Sequence, residues 1–161
     1  MNPEELTCYV DAAYANDLRK RRSTTGYAIT MAGGAIFYRS KTQSVTALSS
    51  TEAEFFAAIA ASKIVLFLRF VLEDLQMPMT TPTPVYEDNE SCIKIVNARK
   101  PTERTRHLEC PYFRIQDWKD QGYIIMKHIP GVINPSDSLG KPIGWVLHSR
   151  HSRRLMGHHK P

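Results

Sequence analysis

The chain opens with three short runs in which apolar, β-branched and aromatic positions dominate. Residues 6–12 (LTCYVDA), 24–31 (TTGYAITM) and 35–40 (AIFYRS) read as strands. A polar, basic stretch, NDLRKRRS, separates the first two, and Ala32-Gly33-Gly34 turns the chain between the second and third. Such close spacing predicts an antiparallel meander. The pattern then changes period. Ser49 at an N-cap with Glu52 three residues later makes a capping box, and an apolar helix is predicted from there through Leu75. It is apolar almost all round, as expected of a central core helix, with Phe55, Phe56, Phe67 and Phe70 assigned to the core. A Pro/Thr linker at 77–84 leads to a brief strand at 85–87, a short helix at 89–96 and a basic loop at 98–107. A helix at 110–120, a strand at 123–129 and a final helix starting around 135–138 complete the pattern. The order β-β-β-α-β-α-α-β-α predicts an α/β fold with one mixed sheet. Strands four and five run parallel to strand one, and helices pack on the faces.

At 161 residues and 18.3 kDa, the length fits one domain with a core of its own. With 42% hydrophobic and 23% charged residues, disorder and collagen-like structure are excluded. Cys8, Cys92 and Cys110 are odd in number and form no CxxC pair, so no disulfide framework is expected and the setting reads as intracellular. The first six residues carry two Glu and no apolar run, unlike a signal peptide. Lys63, Arg69, Glu73 and Asp74 interrupt the most apolar stretch, so no membrane partner is expected. The net charge of +5 is localised: residues 1–140 hold 16 basic and all 16 acidic residues. Lys141, Arg150, Arg153, Arg154 and Lys160 supply the excess, a basic end that suits a polyanion or a solvated tail.

Four acids fall where predicted strands and helices begin or end: Asp11, Glu54, Asp88 and Asp137. Asp11 is the most telling, because strands disfavour Asp and an unpartnered buried carboxylate is costly. The others have local alternatives. Asp88-Asn89 can cap a helix, Glu54 can close a capping box from Thr51, and Asp137 can favour a helix N-terminus.

The strings YVDAAYA, RRSTTGYAI, ALSSTEAEFFAA, YEDNESCIKI, RTRHLECPYFRI and HIPGVINPSDSLGKP, in that order, resemble the ribonuclease H domain of copia-type (Pseudoviridae-like) retrotransposon polyproteins. The resemblance runs from Tyr9 to about Pro142 and implies a ribonuclease H-like five-stranded mixed sheet flanked by helices. It further implies that Asp11, Glu54, Asp88 and Asp137 are catalytic and hold two Mg²⁺ ions, with Mn²⁺ as a substitute. The implied reaction is endonucleolytic hydrolysis of the RNA strand of RNA–DNA hybrids, leaving 3′-hydroxyl and 5′-phosphate ends, beside a reverse transcriptase domain. The chemistry is coherent: clustered like charges need cations, and hard oxygen ligands suit Mg²⁺ or Mn²⁺ rather than zinc. Helical spacing sets Glu52 about 200° away from Glu54, so only one of them faces the sheet end.

On this reading residues 1–149 form the ribonuclease H domain and 150–161 a basic, His-rich tail. The expected location is cytoplasmic, a virus-like particle included, or nuclear, and the chain is expected to be a monomer. Candidate nucleic-acid contacts are Arg21, Arg22, Ser23, Thr24, Lys41, Asn89, Arg106 and His107. For Arg21 to Thr24 the alternative is a role in shaping the first hairpin. One departure stands out: the loop 131–136 lacks the His that many relatives carry there, and His128 reads as a strand residue. Two other functions compete with the enzyme. One is a non-catalytic nucleic-acid-binding or connection domain of the same fold, which retention of all four acids disfavours. The other is an integrase-like transferase, whose carboxylates typically run Asp, Asp, Glu, whereas here the Glu is second.

Overall fold

The computed structural model describes residues 5–98 and 109–158. Strands β1 (Thr7–Ala13), β2 (Thr24–Met31) and β3 (Gly34–Thr42) form the meander, and β4 (Thr83–Glu87) and β5 (Ile124–His128) complete a five-stranded sheet in the order β3-β2-β1-β4-β5. The first three strands are antiparallel, whereas β4 is parallel to β1 and β5 to β4. This is the arrangement expected from the hydrophobic pattern. β1 is buried along its whole length, as befits the central strand where the sheet changes from antiparallel to parallel.

Strand β4 begins two residues before the apolar pattern indicates, and it includes Pro84. Pro84 faces Ile125 of β5, while the pairing with β1 starts only at Val85, so the missing N–H interrupts no bond to the central strand.

Helix α1 (Ser50–Asp74) starts at the expected cap: the Ser49 side chain accepts from Glu52 N, and the Glu52 carboxylate accepts from Leu48 N at 2.8 Å. By length and hydropathy α1 could cross a membrane; half of its apolar window is buried, and that side packs along β1 and β2 of the sheet. Ala53, Ala57, Ala58 and Ala61 line its inner face, small side chains that bring the helix close to the strands. Phe55 is fully buried as expected, but Phe67 and Phe70 are 59% and 48% exposed and do not belong to the core. A helix apolar on every side can bury only the side that meets the sheet. Arg69, inside the apolar run, turns inward instead and donates to the carbonyls of Met79 and Thr81 and to Thr83 Oγ1, fastening the Pro/Thr linker.

Helices α2 (Glu90–Asn97) and α3 (Glu109–Asp120) contact α1 on the same side of the sheet. The expected single final helix is two: α4 (Asp137–Gly140) and α5 (Trp145–Leu155). Pro142 and Gly144 lie between them, and a proline cannot continue a helical hydrogen-bond ladder. Both cover the opposite face. Gly26 of β2 makes room there, since a Cβ at that position would stand 3.0 Å from Leu139 Cβ and from the Ser136 carbonyl. A boundary at 149/150 falls inside α5, whose Arg154 donates to the Ile133 carbonyl and the Tyr9 hydroxyl and lies over the Tyr9 ring. Residues 150–155 are therefore packed helix rather than tail. Cys8, Cys92 and Cys110 are free thiols.

Candidate active site

The parallel pairing of β1 with β4 sets the first two acids side by side. Tyr9 pairs with Tyr86, so Asp11 and Asp88, each two residues further on, emerge at the same sheet end and in the same direction of the pleat. This is the carboxyl end of the central strands, beside the point where the sheet order reverses. The inner face of α1 delivers Glu54 to the same place. One carboxylate oxygen from each of Asp11, Glu54 and Asp88 lies within 4.8 Å of the others.

Asp137 joins from α4 through an intermediary. Lys141 Nζ donates to Asp11 Oδ1 at 2.8 Å and to Asp137 Oδ1 at 3.0 Å. The loop before α4 is tied down by Asn134, which is fully buried: its amide donates to the Val10 carbonyl, next to Asp11, and its oxygen accepts from Ser136 N and Oγ. Gly131 passes against Asp88, where a Cβ would stand 2.7 Å from Oδ2 and displace the carboxylate.

The electrostatics are those of an acidic cluster removed from water. Burial, then the charges of Asp11 and Asp88, push the Glu54 carboxyl up to about 9, opposed by Lys141 and the Ala12 N–H. Burial also raises Asp11, against the pull of its hydrogen bond from Lys141. Glu87, fully buried beside the cluster, is raised well above the ordinary carboxylate range by burial and by Glu54, while the Asn89 N–H donates to its Oε1. Asp11 Oδ2, Glu54 Oε2 and Glu87 Oε2 are buried without a hydrogen-bond partner. Converging carboxylates of Asp11, Glu54 and Asp88, two of them with a buried unpartnered oxygen, fit hard divalent cations such as Mg²⁺ or Mn²⁺.

The local alternatives for Asp88 and Glu54 find no support, whereas Asp137 does open α4 as its first residue, where an acid suits the helix N-terminus. Asn89, not Asp88, caps α2 by accepting from Cys92 N, and Glu52, not Glu54, serves the α1 cap. Among the candidate nucleic-acid contacts, Arg21 and Lys41 are exposed and Arg22 and Thr24 half-buried. They stand at the same sheet end as Asp11, given the pairing of Ala13 with Thr24 and of Thr25 with Lys41. Ser23 does not qualify. It is fully buried, and its hydroxyl accepts from Ala15 N while its carbonyl accepts from Gln43 N, so it shapes the hairpin. Arg106 and His107 lie outside the described residues. His128 is an exposed residue closing β5. Three residues around the cluster escape a reading of the sequence: Lys141, Glu87 and Asn134. Lys141 alone carries a usable signal, a basic residue one helical turn after Asp137.

No family profile matches the chain. Over 138 residues it is 36% identical to the retrovirus-related Pol polyprotein from transposon TNT 1-94 of Nicotiana tabacum, covering 86% of this chain and 10% of that one. It is 27% identical over 154 residues to the corresponding polyprotein from transposon RE2 of Arabidopsis thaliana, covering 96% and 11%. The chain thus spans about a tenth of the length of these relatives. Among solved structures, LC11-RNase H1, isolated from compost by a metagenomic approach, matches with a TM-score of 0.65 at 19% identity, covering 85% of this chain and 93% of that one. The same protein in complex with an RNA/DNA hybrid matches with a TM-score of 0.59 at 17% identity, covering 84% and 94%.

Proposed function

The chain is a homologue of the retrovirus-related Pol polyproteins of copia-type transposons and carries the ribonuclease H fold, and from that premise we propose that it is a metal-dependent endoribonuclease acting on the RNA strand of RNA–DNA hybrids. The observation that carries the reading is the meeting of Asp11, Glu54 and Asp88 within 4.8 Å, with buried oxygens left unpartnered, at the carboxyl end of the central strands. Asp137, held to Asp11 through Lys141, is the fourth acid of the set.

These four residues are the ligands for two divalent ions. Bound there, such ions activate water and neutralise charge on the attacking and leaving oxygens of an in-line phosphoryl displacement. The water oxygen bonds to phosphorus, the bond to the 3′-oxygen breaks, and that oxygen leaves with a proton, giving 3′-hydroxyl and 5′-phosphate ends. The residues of the chain hold and orient. Asn134 keeps the segment before Asp137 against β1, and Gly131 leaves Asp88 the space it occupies. Arg21, Arg22, Thr24 and Lys41 stand at the same sheet end as Asp11, where phosphate contacts can position a duplex. The structural neighbour solved with an RNA/DNA hybrid supports the choice of substrate, and the polyprotein relatives support a reverse transcriptase domain as the working partner. Choosing RNA requires contacts to 2′-hydroxyl groups.

The test is cleavage of a labelled RNA–DNA hybrid with Mg²⁺, Mn²⁺ or EDTA, beside all-DNA and all-RNA duplexes. Metal-dependent cutting of the hybrid's RNA strand alone is expected. Binding of the hybrid without cleavage under either metal would replace the enzyme by a non-catalytic binding domain.

A further inference from the structure

Lys141 sits inside the acidic cluster, a cation of the chain itself among the carboxylates read as metal ligands. Its ammonium is the link between the acid on β1 and the acid on α4, at 2.8 Å from Asp11 Oδ1 and 3.0 Å from Asp137 Oδ1. The backbone presents it there. The Lys141 N–H donates to the Asp137 carbonyl at 3.2 Å and closes the single turn of α4. Pro142 behind it favours the extended conformation that Lys141 adopts, φ −134° and ψ 146°. The Lys141 side chain is 38% exposed, against 0% for Asp11, so the ammonium has a route to water that its partner lacks.

A divalent ion held by these acids would draw on the carboxylates of Asp11 and Asp137, the two that the ammonium now engages. Two cations drawing on the same pair of carboxylates at such short range repel each other strongly. We propose that Lys141 is a built-in counter-ion that competes directly with divalent ions for Asp11 and Asp137. The inference rests on the reading of the four acids as metal ligands. When no divalent ion is bound, the ammonium relieves repulsion that would otherwise strain the folded cluster. When an ion arrives, the half-exposed side chain swings out to water. Lys141 thereby sets the metal concentration at which the site fills.

Calorimetric titration of Mg²⁺ into the metal-stripped protein and into Lys141→Met, without nucleic acid, tests this. The variant should bind on the order of tenfold more tightly, as expected for removal of one charge-assisted competitor. It should also melt at a lower temperature in EDTA, with the deficit closed by saturating Mg²⁺. Equal or weaker binding by the variant, with binding by the parent protein intact, overturns the inference and leaves the metal reading standing. Binding by neither protein overturns both. A second measurement needs no substitution: reductive methylation of the unaltered protein, mapped by mass spectrometry. Lys141 should react slowly in EDTA and faster in saturating Mg²⁺, and an unchanged rate overturns the inference.

Discussion

Glu52 and Glu54 stand two residues apart in α1 and serve different ends. Glu52 accepts from Leu48 N and belongs to the helix cap, whereas Glu54 meets Asp11 and Asp88. Glu54→Gln should lower hybrid cleavage by at least about 100-fold, since it removes a ligand rather than a supporting contact. Glu52→Gln keeps an acceptor for the cap and should cut at close to the parental rate. Near-normal cleavage by the Glu54 variant would mean that the register of the site is wrong. The same residue makes a pH prediction. Burial and the two neighbouring acids push its carboxyl up to about 9 from an ordinary 4.5, so the folded chain holds that proton more tightly than the unfolded chain does. A group of this kind contributes its full stability below the unfolded value and loses it as pH climbs through the window up to the folded one. In EDTA, melting temperature should therefore fall more steeply for the parent protein than for Glu54→Gln between about pH 5 and pH 9. Parallel curves for the two proteins would contradict the raised carboxyl.

Helix α1 shows how sequence and structure diverge at the scale of an element. Its start is legible in the sequence, because Ser49 and Glu52 are a local signal and the capping bonds form between neighbours. Its buried face is not. Phe55, Phe67 and Phe70 are equally apolar, and only the position of the sheet decides that the first is inside and the others outside. Phe55→Ala should cost about 3–5 kcal/mol, whereas Phe67→Ala should fall within about 0.5 kcal/mol of the parent. Thermal unfolding of the two variants decides it, and a comparable loss for Phe67 would place that ring in a packed interface. The same logic separates what is readable in the site from what is not. Asp11 is conspicuous as an acid in an apolar strand, and the parallel pairing of β1 with β4 brings it to Asp88 as the element order implies. Glu87 looks like the last residue of a strand, and nothing local marks its full burial beside Glu54. Asn134 binds Val10, 124 residues away, a pairing without any local signature. The final segment departs from the single helix expected because of Pro142: its ring splits that segment into α4 and α5 and leaves Lys141 extended at the junction.

Charge acts at the scale of the whole molecule. Residues 1–140 are balanced, with 16 basic and 16 acidic residues, and the acids gathered at the site oppose the approach of phosphates. Attraction to a duplex must then come from particular basic surfaces. Helix α5 offers one, but its three arginines are not equivalent. Arg154 is committed within the fold to Tyr9 and Ile133, whereas Arg150 and Arg153 are exposed. Removing everything after residue 149 confounds the two roles, because it also takes away Arg154 and the buried His151. The double substitution Arg150→Gln, Arg153→Gln separates them, since Gln is a good helix former and the packed face of α5 is untouched. Its melting temperature should match that of the parent protein. If α5 lies along the hybrid, the slope of log affinity against log salt should shrink by about 0.9 for each phosphate that an arginine no longer neutralises, on the duplex-DNA scale. Preference for the hybrid over an all-DNA duplex should be unchanged, because contacts to phosphate position a duplex without identifying its sugars. Binding isotherms at several salt concentrations, recorded for both proteins at one fixed metal concentration, make the comparison. Superimposable slopes would free α5 of any part in substrate binding and shift the electrostatic burden to Arg21, Arg22 and Lys41 at the sheet end.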